Sequence, residues 1–172
     1  MKIQIMGYSG SGKSTLAKQL STFYHLPLLH MDSVQFYGDW QERTKEEQIH
    51  LVKAFMAEND EWIIDGNYTS IVPKRFSESD LTIFLNFNRF YCYDMCLKRY
   101  RQHKNQIRGD CPCIEKFDTE FRRWILWDGR TKKRIRQLFI NFRKAKGQSL
   151  MFRSRKTLNK WLMSQGIPLV ND

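Results

Sequence analysis

Short apolar runs, several of them rich in β-branched residues, recur along the chain, and each is followed by a polar or glycine-containing turn. Runs of this kind are typical of strands that are buried on both faces of a parallel sheet. The pattern therefore predicts five strands, at residues 1–6, 26–31, 62–64, 81–85 and 149–152.

Between these runs, apolar residues recur at intervals of three and four, the spacing of one helix face. Thr44 and Glu47 also have the spacing of a capping box in front of the second of these segments. The pattern predicts helices at residues 13–24, 44–58, 90–102, 114–127, 132–144 and 157–164, and a polar, basic, mobile loop at residues 103–112.

Strands and helices alternate almost throughout, which predicts an α/β protein, a three-layer α/β/α sandwich on a parallel sheet. No linker marks a domain boundary, so we expect a single domain over residues 1–172. No apolar run approaches the roughly 20 residues that cross a bilayer. Glycines and Lys13 also interrupt the region where a signal peptide would have its apolar core. We therefore expect a cytoplasmic protein with no membrane partner.

A phosphate-binding loop lies between the first predicted strand and the first predicted helix. Residues 7–14 fit the pattern G-x-x-x-x-G-K-[ST], in the strand-then-helix context that this motif requires. Its glycines let successive N–H groups point at a phosphate, Lys13 can reach the β and γ phosphates, and the Ser14 hydroxyl can bind Mg²⁺. The predicted nucleotide-binding residues are Gly7, Ser9, Gly10, Ser11, Gly12, Lys13, Ser14 and Thr15.

Two aspartates follow predicted strands, at the edge of the sheet where parallel α/β folds bind ligands. Asp65 comes after Ile63 and Ile64 and before Gly66, which suits a Mg²⁺ anchor that acts through water. Asp32 would then face the acceptor substrate as a general base or hydrogen-bond acceptor. The alternative for either aspartate is a cap on the following helix or turn.

The net charge of +11 is concentrated in residues 98–146, whereas residues 32–65 are close to balanced or acidic. A basic segment can bind nucleic acid, or it can clamp a polyphosphate and an anionic substrate. The phosphate-binding loop favours the clamp, although charge alone does not separate the two.

The phosphate-binding loop, His30-Met31-Asp32 and Trp62-Ile63-Ile64-Asp65-Gly66-Asn67-Tyr68 together resemble the adenylate-kinase-related P-loop kinases. More narrowly, the chain resembles the bacterial DNA topology modulation (FlaR-like) proteins, which share Asp-Gly-Asn-Tyr and a segment like residues 113–118. The resemblance implies a P-loop fold of nucleoside monophosphate kinase type, ATP or GTP as donor, and a helical lid at about residues 100–130.

Related kinases carry lid arginines that neutralise the transferring phosphate, and the resemblance extends this role to arginines between the fourth and fifth strands. Arg99, Arg108 and Arg134 are the first candidates, from a set that also contains Arg101, Arg122, Arg123 and Arg130. Arg153 follows the fifth strand, where related kinases wrap the adenine, and could stack on the base.

Four cysteines, Cys92, Cys96, Cys111 and Cys113, cluster around the predicted loop. Their spacing is poor for a zinc site, so free thiols in a reducing cytoplasm are favoured. The aromatic residues Phe36, Tyr37 and Trp40 follow Asp32 and could either stack on a planar acceptor or cover the core.

These observations favour a small Mg²⁺-dependent kinase that binds a nucleoside triphosphate and an unidentified small acceptor, with Lys13, Asp32 and the lid arginines as catalytic residues. A protein that binds DNA or RNA and uses nucleotide only as a switch is the rival hypothesis. A nucleotide hydrolase is a weaker one. The sequence has no helix-turn-helix, zinc-finger or RNA-recognition signature, which favours the kinase.

Overall fold

The computed structural model describes residues 1–38 and 40–169, apart from the side chain of Arg108. The strands are β1 (Lys2–Gly7), β2 (Leu28–His30), β3 (Trp62–Asp65), β4 (Leu81–Leu85), β5 (Ile107–Arg108), β6 (Cys111–Ile114) and β7 (Gln148–Phe152). The helices are α1 (Lys13–Tyr24), α2 (Met31–Gln35), α3 (Lys45–Glu58), α4 (Lys74–Glu78), α5 (Arg89–His103), α6 (Thr119–Leu126), α7 (Lys132–Phe142) and α8 (Arg155–Ser164), with a 3₁₀ turn at Asp128–Arg130.

Five strands form a central sheet in the order β2-β3-β1-β4-β7, and every neighbouring pair is parallel. Apolar residues that alternate along the strands enter two separate cores, one on each face of the sheet. Along β3, for example, Ile63 packs into one core, whereas Trp62 and Ile64 pack into the other. The predicted three-layer sandwich on a five-stranded parallel sheet is therefore confirmed.

The strand order brings the carboxyl ends of β1, β2 and β3 together. Asp65 pairs in register with Ile5 of β1 on one side and with His30 of β2 on the other. The connection from β1 leads to β2 on one side of β1, and the connection from β3 leads to β4 on the other side. The strand β1 therefore lies at a topological switch point. Ligands bind at such a point in open α/β sheets, and the phosphate-binding loop begins there.

Helix α3 begins as the sequence predicts. The Glu47 amide donates to Thr44 Oγ1 at 3.3 Å, and the Thr44 amide donates back to Glu47 Oε2 at 2.8 Å, so the capping box is complete. No helix in residues 1–38 and 40–169 is both long and apolar enough to cross a membrane.

Residues 103–112 differ from the predicted mobile loop, because β5 and β6 pair there as an antiparallel hairpin. The prediction of a helix from residue 114 was also wrong at its start, since Ile114 belongs to β6. Helix α6 begins only after Asp118, whose side chain accepts from the Phe121 amide at 2.8 Å. Pro112 and the polar residues before Cys111 argue against a strand in the sequence, and β6 forms as an edge strand of a two-stranded sheet, where proline is tolerated.

Candidate functional site

The phosphate-binding loop turns tightly between β1 and α1. The Ser11 amide donates to the Tyr8 carbonyl at 3.1 Å, and Gly10 and Gly12 have φ angles of +77° and +85°. These left-handed angles are open to glycine at little cost. The Lys13 ammonium donates to the Tyr8 carbonyl at 3.2 Å, so its charge lies over the loop. The loop thus combines a cation with the amino terminus of a helix of 12 residues, a ready anion-binding arrangement.

Gly10 packs directly against α5. A Cβ atom at this position would lie 2.2 Å from the Cys92 carbonyl oxygen and 2.7 Å from Cys96 Sγ. Both cysteines are fully buried, and burial raises the pKa of each thiol, that of Cys96 to about 11. The two thiols therefore stay protonated at neutral pH and serve as small packing groups behind the loop.

The Gly10→Ala variant should lose about 2 kcal/mol or more of stability, from a left-handed alanine and an overpacked contact with α5. It should also lose the thermal stabilisation by Mg-ATP, because the loop must move away from α5. Gly109→Ala is the control, since a Cβ at Gly109 meets nothing within 4 Å. Urea unfolding and thermal shifts measure both effects, and equal results for the two variants would contradict the packing argument.

Asn67 fixes the start of the phosphate-binding loop from the neighbouring strand. Its side-chain oxygen accepts from the Gly7 amide at 3.0 Å, and its side-chain nitrogen donates to the Gly7 carbonyl at 2.8 Å. This double hydrogen bond spans 60 residues of sequence. The asparagine of Asp-Gly-Asn-Tyr is therefore a positioning residue, which the sequence reasoning did not assign.

Asp65 ends β3 with its side chain only 5% exposed. His30 Nδ1 lies 3.0 Å from Asp65 Oδ2, and Asp65 Oδ1 is buried without a hydrogen-bond partner among the described atoms. A buried carboxylate oxygen without a partner is costly, so such an atom marks the place of a water or an ion. His30, to which the sequence reasoning gave no role, orients this carboxylate.

The Ser14 hydroxyl and the Asp65 carboxylate are oxygen ligands that fit the Mg²⁺ implied by the phosphate-binding loop. Mg²⁺ prefers oxygen ligands and keeps several waters, and it is commonly held by one or two protein oxygens together with substrate phosphates. Ser14 would supply its hydroxyl from the loop, and Asp65 would supply Oδ1 through water. Bound there, the ion would neutralise charge on the β and γ phosphates.

Asp32 lies in α2 and forms a pair with Tyr68. The Tyr68 hydroxyl donates to Asp32 Oδ1 at 2.6 Å. Burial, followed by the charge of Asp32, raises the pKa of Tyr68 far above its ordinary value, so the phenol keeps its proton and remains a donor. A carboxylate has further lone pairs, so Asp32 can still accept from a substrate hydroxyl.

Arg75 organises the backbone around this pair from inside the protein. It is 0% exposed and donates to the carbonyls of Gly66, Asn67 and Tyr68 at 3.1, 2.6 and 3.1 Å. Its Nη1 also donates to Gln4 Oε1 at 2.5 Å. Burial lowers the pKa of Arg75 to about 9, while the nearby Asp65 carboxylate raises it, so the guanidinium is charged at neutral pH. A single side chain thus holds the loop that carries both Asn67 and Tyr68.

The Arg75→Met variant should lose about 3 kcal/mol or more, because the carbonyls that Arg75 binds would be left buried without donors. Lys74→Met makes the same charge change on the same helix, at a side chain that is 77% exposed and pairs with Glu78. It should change stability by less than about 1 kcal/mol. Chemical denaturation measures both, and a small loss in Arg75→Met would refute the proposed role of this side chain.

A cleft of about 2670 Å³ joins these groups. Of the predicted site residues, the described part of its lining includes Gly7, Ser9, Gly10, Gly12, Lys13, Ser14, Thr15, Asp32, Arg99 and Arg134. Ser11 and Asp65 lie buried behind the surface of the cleft. Arg153 is exposed and is not among the described lining residues, so its role in base binding stays a prediction.

The predicted lid arginines differ in their surroundings. Arg99 binds Glu115 Oε1 through Nε at 3.0 Å and Nη2 at 2.8 Å, and the Arg134 guanidinium lies 4.5 Å from the centre of the Trp124 ring. The side chain of Arg108 lies outside the described part of the structure. Arg130, not a first choice from the sequence, stacks 3.5 Å from the Tyr8 ring centre and donates to the Phe87 carbonyl.

The two remaining cysteines lie on the β5–β6 hairpin and are buried. Burial, the neighbouring Cys113 and the charge of Asp32 together raise the pKa of the Cys111 thiol to about 12. All four cysteines are free. In residues 1–38 and 40–169, no three or more His, Cys, Asp or Glu side chains come together in a way that could hold a metal ion.

Of the aromatic residues after α2, Trp40 contacts the hairpin and Phe36 packs against Trp40. The Phe36 and Trp40 rings meet edge to face at 5.2 Å, and Trp40 Nε1 donates to the Ile114 carbonyl at 3.0 Å. Both line the cleft, whereas Tyr37 is exposed and is not among the described lining residues. Phe36 and Trp40 are thus placed to contact a ligand in the cleft, whereas Tyr37 is not among the described residues that line it.

Several solved structures share this architecture. Shikimate kinase from Acinetobacter baumannii in complex with shikimate aligns over 97% of this chain and 95% of its own, with a TM-score of 0.58 and 10% identity. Shikimate kinase from Bacteroides thetaiotaomicron covers 96% of both chains, with a TM-score of 0.57 and 18% identity. This chain has the fold of a P-loop kinase.

Deoxyadenosine kinase from M. mycoides with bound dCTP has the same fold, with a TM-score of 0.52, 16% identity, and coverage of 96% of this chain and 98% of its own. No protein-family model matches the sequence, and no curated protein matches it either. At these identities the likeness establishes the fold, and the resemblance to topology modulation proteins stays a sequence-based expectation.

Proposed function

We propose that this protein is a Mg²⁺-dependent kinase that transfers the terminal phosphoryl group of ATP or GTP to a small acceptor. The observation that carries the proposal is the opening of the phosphate-binding loop and of the Asp32–Tyr68 pair into one cleft. A donor site alone would fit a hydrolase. A carboxylate held by the half-buried Tyr68 phenol at the same cleft supplies a base for a second substrate.

In the proposed reaction, Lys13 and the loop amides bind the triphosphate, and an acceptor oxygen attacks the γ-phosphorus. The bond from that phosphorus to the β–γ bridging oxygen breaks, and its electron pair leaves with the nucleoside diphosphate. The proton of an attacking hydroxyl passes to Asp32. Arg108 and Arg134 would balance charge on the transferring group, as in adenylate-kinase-like enzymes, whereas Arg99 is held by Glu115. Shikimate is bound in the shikimate kinase structure and dCTP in the deoxyadenosine kinase structure, so both folds bind small molecules of the kinds that this proposal requires.

Transfer of ³²P from γ-labelled ATP and GTP to a panel of acceptors tests the proposal. A labelled organic product whose formation depends on an acceptor is the expected result. Release of labelled inorganic phosphate alone, at a rate that no acceptor changes, would identify a hydrolase instead.

A nucleic-acid-binding role is the second candidate, and the distribution of charge favours it. Residues 129–169 contain 12 Lys and Arg residues and no Asp or Glu. Much of this charge is exposed on α7 and directly after it, including Lys132, Arg136 and Arg143. Such a surface would bind duplex DNA with an affinity that falls steeply with salt. Tight binding that the Arg136→Glu/Arg143→Glu variant loses would support this role, and weak binding at about 0.15 M salt would exclude it.

A further inference from the structure

The cleft has two halves with different chemistry. The donor half is the phosphate-binding loop with the cleft-lining cations Lys13, Arg130, Lys133 and Arg134. The acceptor half contains the Asp32–Tyr68 pair, the rings of Phe36 and Trp40, and hairpin residues of β6. The second half is where a substrate hydroxyl would meet Asp32.

Arg99, a partly buried cation of the acceptor half, is already engaged. Arg99 holds Glu115 through two nitrogens, and the Glu115 side chain is only 6% exposed. An anionic acceptor that recruited Arg99 would have to take the guanidinium from a buried carboxylate, which is costly. The Arg99–Glu115 pair is therefore neutral in sum, and it offers little to a phosphate.

The other cations near this half have structural contacts. Arg43 donates through Nη1 to the carbonyls of Ser33, Val34 and Phe36 at 2.8, 3.1 and 2.7 Å, which closes the carboxyl end of α2. The Lys116 ammonium lies 4.3 Å from the centre of the Trp40 ring, on the side of the hairpin. Lys116 also lies 3.8 Å from Asp118, and Lys98, which lines the cleft as well, pairs with Asp94 at 3.1 Å.

The interior of the acceptor half is therefore neutral or negative, in a protein whose net charge is +11. Its carboxylate, Asp32, repels a second anion at short range, and its aromatic rings favour a flat or apolar group. Among the side chains that the structure describes, the acceptor half thus differs in charge from the protein as a whole. In the donor half, by contrast, cleft-lining cations surround the place where the triphosphate would bind.

We propose that the acceptor is an alcohol that carries no phosphate or carboxylate, either uncharged or cationic, with a flat or apolar face that packs on Phe36 and Trp40. Its hydroxyl donates to Asp32, which Tyr68 holds in place. This inference rests on the proposed kinase function and narrows its acceptor. Nucleosides and aromatic amino alcohols have the required chemistry, whereas nucleoside monophosphates do not.

Matched acceptor pairs test the inference with the full chain and Mg-ATP. Each pair contains an alcohol and its anionic counterpart, such as a nucleoside with its 5′-monophosphate, or an aromatic amino alcohol with the related hydroxy acid. Product formation gives kcat/KM for each member. We expect the alcohol of at least one pair to exceed its counterpart by about tenfold or more. An equal or higher value for the anionic members would overturn the inference.

Variants of the aromatic residues locate the site. Trp40→Ala should raise KM for the acceptor without changing KM for ATP, and Trp40→Phe should restore most of the loss because a ring remains. Tyr37→Ala is the matched control, since Tyr37 is 56% exposed and is not among the described lining residues. Equal acceptor KM values in Trp40→Ala and Tyr37→Ala would place the acceptor elsewhere and refute the assignment.

The failure of this inference can be told from the failure of the kinase proposal. If phosphoryl transfer occurs and only anionic acceptors are phosphorylated, the acceptor class is wrong and the kinase stands. If Mg-ATP binds but no uncharged or cationic alcohol is phosphorylated, the acceptor class is also refuted. If labelled inorganic phosphate is the sole product whatever is added, the kinase proposal itself fails.

Discussion

The Lys13→Ala variant is expected to lose the thermal stabilisation that Mg-ATP gives to the wild-type protein. A ligand at about 100 times its Kd stabilises a protein by about 2.7 kcal/mol, which is about 5–10 °C in Tm for a chain of this size. Removal of Lys13 leaves the γ-phosphate without the cation that lies over the loop. Phosphoryl transfer should fall by about 10²-fold or more, the usual effect of losing one group that stabilises charge in the transition state.

Lys18→Ala is the matched control for this variant. Lys18 lies on the same helix and lines the same cleft, but it is exposed and one turn further from the loop. It should keep most of the Mg-ATP stabilisation. In the absence of nucleotide, both variants should unfold within about 0.5 kcal/mol of wild type, because neither side chain is part of the core. Retained stabilisation in Lys13→Ala would contradict the assignment of the phosphate-binding loop.

The part of the site that depends on local spacing could be predicted from the sequence. The phosphate-binding loop needs fixed intervals between glycine, lysine and serine, and its strand-then-helix context follows from the flanking apolar pattern. The carboxylate that ends β3 and the one that follows β2 could also be located, because an apolar run that stops at a polar residue shows about where a buried strand ends.

The contacts that hold the site together could not be predicted, because they join residues far apart in sequence. Asn67 binds Gly7 across 60 positions, and Tyr68 reaches Asp32 across 36. The burial of Arg75 could not be predicted for another reason. An arginine on a short polar helix usually lies in solvent, and only the loop of inward carbonyls at Gly66–Tyr68 makes its complete burial favourable.

The segment after β3 therefore connects the two substrates in the proposed reaction. Through Asn67 it fixes the start of the donor loop, and through Tyr68 it holds the carboxylate that would accept the proton. Because Arg75 binds the backbone of both residues, a shift of this segment would displace donor and acceptor groups together. Such coupling suits a reaction that depends on the relative position of two substrates.

Asp65→Asn should separate nucleotide binding from its dependence on magnesium. Asparagine has nearly the same shape but lacks the charge that orients Mg²⁺ and its waters. In EDTA, ATP should stabilise the variant and the wild type equally, because Lys13 and the loop amides remain. On addition of Mg²⁺, only the wild type should gain further stabilisation. Transfer should fall by about 10²-fold or more in the variant.

Asp60→Asn is the control, with the same charge change in the exposed turn before β3, away from the phosphate-binding loop. It should keep both the Mg²⁺-dependent stabilisation and the transfer activity. The unfolding of each variant without nucleotide separates a loss of folding from a loss of metal binding, which matters because Asp65 also contacts His30. A carboxylate that holds Mg²⁺, even through water, should bind the ion less tightly once its charge is removed. A Mg²⁺ titration that gives the same midpoint for Asp65→Asn and wild type would therefore exclude Asp65 as the metal anchor.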